Sequence, residues 1–279
     1  MKGKPLSNHH FIHFIPGCNF WSINPYKLCE FKCTYCITGV QGDPTLIAPP
    51  ENLMIMLDNA IQHSKPRENF VIGALSDAYP SAEVDLKATR KVLTFLNSHN
   101  KDYTVISKST RFARDIDLFK ANSGSNVCFS FSTLDERCSS ILEPGAESPS
   151  KRIELLWEMF DLGISVSVSV APWIPRITNL SAILNAIPDH IPIQLERLKI
   201  VRASRKFKCL DIELCQEEID ALYCEERKKN FPRKNIRWAF DERFCTKENP
   251  MPLIMAQQQK RIEAGVKTVN FRNTAESSA

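Results

Sequence analysis

Along most of this chain, short apolar runs alternate with amphipathic stretches, and the hydrophobic period switches between them. Phe70–Leu75 reads as a buried strand, and within Glu83–Asn97 the residues Leu86, Leu93 and Leu96 mark one helical face. Tyr103–Ser107 is the next strand, Arg114–Phe119 a short helix, and Val127–Ser132 alternates as a third strand. Ser150–Leu162 is a helix that stops at Gly163, a residue suited to a helix C-terminus. Ile164–Ala171 is a strand, Leu180–Ala186 a helix and Gln194–Val201 another strand. With a first strand before Cys29, about six strand–helix units result. Strands alternating with helices imply a parallel sheet, closed or partly closed.

After about Ser204 the periodicity weakens. Glu217–Lys229 is a charged helix, Ile236–Phe240 a strand, and Leu253–Ala264 a last helix ending at Gly265. The pattern therefore divides the chain into an N-terminal segment (1–19), a barrel (20–203) and a C-terminal extension (204–279) that packs on the barrel and closes it. In the first segment His9, His10 and His13 can reach a substrate or second metal. Their interleaving with Phe11, Ile12, Phe14 and Ile15 favours a strand or loop packed on the barrel.

Composition narrows the function classes. The 279 residues are 43% hydrophobic, enough for a sizeable core. No segment approaches the ~20 apolar residues of a membrane span. The start, Met-Lys-Gly-Lys-Pro, lacks the apolar core of a signal peptide, so a cytoplasmic protein is expected. A net charge of +4 excludes the dense basic stripe of a dedicated DNA binder. The run Arg197, Lys199, Arg202, Arg205, Lys206 and Lys208 can touch phosphates, but only Phe207 is interleaved for stacking, so a solvated or anion-binding edge is the plainer account. With no GxGxxG or P-loop pattern, a standard nucleotide cradle is excluded. Ten cysteines in a chain of this length point to metal binding or catalysis in a reducing compartment.

Three of them form Cys29-Glu-Phe-Lys-Cys33-Thr-Tyr-Cys36, a CxxxCxxC spacing. Three thiolates on one loop can take three irons of a cubane and leave the fourth iron open to a ligand. Zinc is the competing reading. It prefers four ligands, no second CxxC exists, and the fourth would come from His9, His10, His13 or Cys18.

CxxxCxxC with Tyr35 before the last cysteine, on the loop after the first barrel strand, resembles the radical SAM superfamily over roughly Trp21 to Val201. Within it the chain is most similar to the spore photoproduct lyase-like branch, through Asn24-Pro25-Tyr26, Gly73 to Glu83, Thr89-Arg90, Ser107-Lys108-Ser109, Arg114 to Asp117, Leu142 to Pro149 and Ala171 to Pro175. The resemblance implies an α/β fold, a partial (β/α)6 TIM-like barrel with a C-terminal extension. It implies a 4Fe–4S cluster on Cys29, Cys33 and Cys36. S-adenosylmethionine would bind the open iron and be cleaved reductively to a 5′-deoxyadenosyl radical, with an external flavodoxin- or ferredoxin-type one-electron donor.

By the same resemblance, Tyr35, Gly73, Ser76 and Asp77 meet S-adenosylmethionine. Lys108 pairs with its carboxylate, Ser130 or Ser132 adds hydrogen bonds, and the backbone of Ala171 lies beside adenine. The Gly73–Asp77 segment departs from the Gly-Gly-Glu of relatives. Lys108 otherwise reads as a solvated surface lysine, and Glu143 and Arg90 as a structural ion pair.

Three functions stay open. The first is epimerisation of a sugar-containing small molecule with a cysteine hydrogen donor. The chain's size and the C-terminal Cys245 are similar to radical SAM epimerases of aminoglycoside pathways, with Cys18 and Cys128 as rival donors. The second is cleavage of a DNA photolesion, against which stands the absence of about sixty residues that those lyases carry before the cluster. The third is a non-catalytic, metal-stabilised binding barrel.

Overall fold

The computed structural model describes residues 11–15, 19–36, 43–66, 68–188, 190–200, 204–207, 212–230 and 235–238. One sheet of eight strands organises them, in the order β1-β2-β3-β4-β5-β6-β7-β10. The strands are β1 (Ile12–Ile15), β2 (Phe20–Ile23), β3 (Asn69–Ile72), β4 (Tyr103–Ser107), β5 (Ser125–Phe131), β6 (Val166–Trp173), β7 (Ile193–Arg197) and β10 (Ile236–Trp238). β1 runs antiparallel to β2, and every other pairing in this sheet is parallel. Among the described residues the sheet is open, with β1 and β10 as its edges. A separate antiparallel hairpin joins β8 (Ser204–Phe207) to β9 (Ile212–Cys215).

Helices carry the crossovers: α1 (Leu53–His63), α2 (Glu83–Leu86), α3 (Ala88–Ser98), α4 (Ile116–Lys120), α5 (Glu136–Leu142), α6 (Pro149–Asp161), α7 (Leu180–Ala186) and α8 (Gln216–Asn230). Local chemistry fixes several starts. Asp135, Ser148 and Asn179 each cap a helix by accepting a backbone N–H through the side chain, and Pro149 occupies the first turn of α6.

Most anticipated elements stand within a few residues, and the differences have causes. Glu83–Asn97 is two helices, broken at Lys87 with φ +51°. The Glu83 carboxylate turns back to accept from the N–H groups of Thr89 and Arg90, which starts α3 as a new helix. β3 stops at Ile72 because Gly73 takes φ +88°, a conformation that L side chains rarely adopt. β7 ends at Arg197 because the Leu198 N–H is drawn to the Trp173 carbonyl. The N-terminal apolar stretch forms edge strand β1, which carries His13. α1, α5 and the β8–β9 hairpin were not anticipated, and the hairpin puts part of the basic run into a strand. The helix expected at 253–264 lies outside the described residues.

Alternation along the strands separates two faces. Ile23, Phe70, Ile72, Val105, Val127, Phe129, Phe131, Val168, Val170, Ile193 and Leu195 are buried in one core with Val92, Leu93 and Leu96 of α3 and Leu156 and Met159 of α6. The opposite, inner face is mostly polar across the central strands: Asn69, Thr104, Asn126, Cys128, Ser130, Ser167, Ser169, Gln194 and Glu196 occupy alternate positions there, with Val71 and Ile106 as apolar members. Asn126 is hydrogen-bonded to Ser165 and Ser167 there, and Asn69 to Thr104.

A Cβ on Gly73 would sit 2.4 Å from the Ile106 carbonyl oxygen. Gly73→Ala is therefore expected to lower stability by about 2 kcal/mol or more, through φ and the clash together, measured as a shift in urea midpoint.

Candidate functional site

The carboxyl ends of the strands converge on the loop after β2, which carries the three cysteines. That loop has little regular structure, so it is held from outside. Thr34 N–H donates to the Leu142 carbonyl at 2.8 Å, and Gly145 N–H to the Phe31 carbonyl at 3.0 Å. The second contact is so close that a Cβ on Gly145 would lie 2.6 Å from the Phe31 Cα. The hydroxyl of buried Tyr35 donates to the Glu143 carboxylate. Glu143 pairs in turn with Arg152 at 2.9 Å, and both side chains are fully buried. Arg152 also donates to the Ser130 carbonyl and the Ser139 hydroxyl, and its guanidinium lies 4.9 Å from the Phe131 ring centre. The cluster loop, α5, α6 and the end of β5 thus share one charge pair.

Lys108, just past β4, is a cation facing this loop, and Arg111 pairs with the loop's Glu30 at 3.3 Å. The Lys108 Nζ donates to Ser130 Oγ at 2.8 Å and lies 5.9 Å from the Tyr35 ring centre. Burial pushes the thiols of Cys29 and Cys33 up to about 11 and about 12, while the Lys108 charge pulls both down. Burial also acts against the charge on Glu143, yet Lys108, Arg152 and Tyr35 outweigh it and hold that carboxyl below its ordinary range. Lys108 is thus half-buried and engaged, not a solvated surface lysine.

The other anticipated residues lie around the same mouth, and several serve the frame. Asp77 accepts from Ser107 Oγ, Lys108 N–H and Tyr79 N–H, tying the end of β3 to the end of β4. Burial raises its carboxyl, and those three hydrogen bonds oppose the shift. Ser76 donates its hydroxyl proton to the Tyr26 carbonyl. Gly73 donates its N–H to the Ile23 carbonyl. Ser132 is fully buried beside Tyr35 and Glu143, and half-buried Ala171 precedes Pro172 in a cis peptide. Glu143 and Arg90 do not pair with each other: Arg90 bridges Asp115 and Asp117 while Glu143 holds Arg152. The polar motifs around Glu83, Arg90, Arg114 and Asp115 form a scaffold on the outer side, where Arg114 bridges Glu83 and Asp115 and the Tyr26 and Tyr79 hydroxyls close on the same carboxylates.

Cys245 and Cys18 lie outside the described residues. Cys128 is described: it is buried on the inner face, in register with Ser167, two residues before Ser130. Burial pushes its thiol up to about 11. Sequence reasoning missed Arg152, because an arginine at one helical position in Ser150–Leu162 carries no mark that it turns inward.

Among the described residues no three His, Cys, Asp or Glu are grouped closely enough to hold one metal ion. A cubane asks for less convergence, since each thiolate takes a different iron. Cys29, Cys33 and Cys36 on one enclosed loop, with Cys29 and Cys33 within electrostatic reach of each other, suit that donor set.

Removing one partner of a buried ion pair strands the other charge. Arg152→Ala is expected to cost about 3–5 kcal/mol in chemical unfolding and to lower the iron bound per chain after reconstitution. Alkylation of Cys128 by iodoacetamide in the metal-free protein is expected to be at least about tenfold slower at pH 8 than that of exposed Cys224, since only the thiolate reacts. Because its ionisation is displaced upward, the Cys128 rate should keep rising with pH toward about 11, read peptide by peptide in a mass spectrometer.

Comparison with known proteins agrees with this geometry. Residues 23–184 match the model of the radical SAM superfamily. An uncharacterized protein of Methanocaldococcus jannaschii is 28% identical over 203 residues, covering 70% of this chain and 75% of that protein. An uncharacterized protein of Mycobacterium tuberculosis is 21% identical over 185 residues, covering 61% of this chain and 54% of that one. In fold, the chain is similar to spore photoproduct lyase complexed with dinucleoside spore photoproduct (TM-score 0.59, 12% identity, 78% of this chain and 75% of that one). It is likewise similar to Streptococcus suis SuiB bound to S-adenosylmethionine (TM-score 0.58, 14% identity, 78% and 49%). No described helix is long and apolar enough to cross a membrane. With more than half its length matched by that superfamily's model, and with a three-cysteine loop behind the first parallel strand of an open barrel, the chain belongs to the radical SAM superfamily, whose members use a 4Fe–4S cluster and S-adenosylmethionine.

Proposed function

We propose that this enzyme removes a hydrogen atom from a small organic molecule held against the inner face and returns one from a cysteine thiol, as an epimerase of a sugar-containing substrate does. The observation that carries the reading is the inner face itself: a polar wall that runs from Lys108 and Ser130 to a buried thiol at Cys128. When bound, the cluster and S-adenosylmethionine supply a carbon radical strong enough to take hydrogen from an unactivated C–H bond.

Cys29, Cys33 and Cys36 hold the cluster in this reading. Lys108 faces the carboxylate of S-adenosylmethionine, with Ser130 orienting its ammonium. Tyr35, kept in place by Glu143, forms the wall behind the loop and excludes water. Gly73, Ser76 and Asp77 shape the ledge for the amino end, Ser132 supports it from β5, and the Ala171 backbone lies beside adenine. A neutral thiol is what donation of a hydrogen atom needs, and Cys128 stays neutral at ordinary pH. Its S–H bond breaks as the substrate C–H bond forms. The resulting thiyl radical then takes one electron and one proton, the electron coming from an external flavodoxin- or ferredoxin-type donor. Cys245, beyond the described residues, is the rival donor.

A second reading, cleavage of a DNA photolesion, draws support from the fold shared with spore photoproduct lyase. Anaerobic reconstitution followed by dithionite and S-adenosylmethionine separates enzyme from binding barrel. 5′-Deoxyadenosine is expected from the wild type and none from Cys33→Ala. Bound zinc with no 5′-deoxyadenosine would defeat the proposal and leave a metal-stabilised barrel.

A further inference from the structure

Beyond Ser130 along the inner face, three neighbouring side chains make no hydrogen bond among the described residues: buried Ser169 on β6, and exposed Gln194 and half-buried Glu196 on β7. Ser169 pairs in register with Ser130 on one side and Gln194 on the other. These residues therefore continue the row that begins at Lys108. Glu196 lies one step nearer the mouth, opposite the register shift between Val170 and Trp173, where the parallel strands end. Active groups of such barrels gather at those carboxyl ends.

A half-buried carboxylate with no donor from the chain keeps its open side for water or a ligand that supplies one. Burial raises the Glu196 carboxyl, and the charges of Lys199 and Arg197 only offset the shift. Arg197 is already committed to Asp220, at 2.5 Å. Lys199 loses basicity through its own burial, with Glu196 opposing that loss. The wall thus presents two carboxylate oxygens, an amide and a hydroxyl, a set richer in acceptors than in donors.

We propose that Ser169, Gln194 and Glu196 are the substrate-binding wall of the chamber and hold a polyhydroxylated ring, a sugar or cyclitol, through its hydroxyl protons. This rests on the radical SAM epimerase reading above and assigns the residues that would hold its sugar-containing substrate. A polyol supplies O–H donors to a wall with more acceptors than donors. A nucleic acid suits it less. Its phosphates would meet the Glu196 charge, and the inner-face positions of β5, β6 and β7 (Asn126, Cys128, Ser130, Ser167, Ser169, Ala171, Gln194 and Glu196) offer no aromatic ring for a base to stack on.

Saturation-transfer NMR on the reconstituted full chain tests this, with glucose, glucosamine and myo-inositol as probes and thymidylyl-thymidine as the nucleic-acid probe. At least one polyol is expected to bind. Glu196→Gln and, separately, Gln194→Ala should each weaken that binding about tenfold, the worth of one hydrogen bond to a charged or amide group. Glu154→Gln, exposed on the outer side of α6, should leave it unchanged. Each preparation is also assayed for 5′-deoxyadenosine. A wild type that forms 5′-deoxyadenosine yet binds no polyol overturns the proposal and spares the enzyme reading. So does polyol binding indifferent to both substitutions, or binding of the dinucleotide alone. A wild type that forms no 5′-deoxyadenosine overturns the enzyme reading, and the proposal with it.

Discussion

Much of the site depends on one buried ion pair, Arg152 with Glu143. Two charges out of water are tolerable only when each is paired and hydrogen-bonded. Here Arg152 also reaches the Ser130 carbonyl and Ser139, while Glu143 takes the Tyr35 hydroxyl. The arrangement joins a strand end, two helices and an irregular loop that could not keep its shape alone. Breaking it would free the cysteine loop from the barrel at the same moment that it stranded a charge. The geometry of the thiols is therefore coupled to the stability of the fold.

The second organising feature is the unequal chemistry of the sheet's two faces. The outer face is apolar and sealed by α1, α3, α6 and α7. The inner face carries mostly serine, asparagine, threonine, glutamine and glutamate at the alternate positions of the central strands, with Val71 and Ile106 among them. A closed barrel would fill its interior with branched apolar side chains. Among the described residues this sheet stays open between β1 and β10, and polar side chains at its centre fit a face that receives ligand instead of packing against itself.

Several residues that resemblance places against S-adenosylmethionine also hold the mouth together. Asp77 fastens the end of β3 to the end of β4, and Ser76 fastens it to the segment ahead of the cysteines. Lys108 serves both ends, since its backbone N–H donates to Asp77 and its ammonium to Ser130. Residues at strand ends in a parallel array are close neighbours, so one side chain can position another and still face a ligand.

How much was legible in the sequence follows from which signals are local. Alternation and helical periodicity showed β4, β5, α6 and α7 nearly to the residue, because each buries one face and its pattern says so. The same signal was present for α1, where Leu53, Leu57 and Ala60 fall on one side, but the apolar run Leu53–Leu57 masked it. The cysteine spacing identified the metal loop because three ligands lie within eight residues. The pairing of Arg152 with Glu143, and of Arg90 with Asp115, depends on which helix crosses which strand end, and spacing along the chain does not encode that. The sequence by itself determined the alternating fold, the apolar outer face and the three-thiol loop, since these rest on period and proximity. Tertiary structure alone decided that Lys108 faces the thiols, that Cys128 pairs with Ser167, and that Ser169, Gln194 and Glu196 stand side by side. Those are contacts between different strands, and strand register is set only when the sheet assembles.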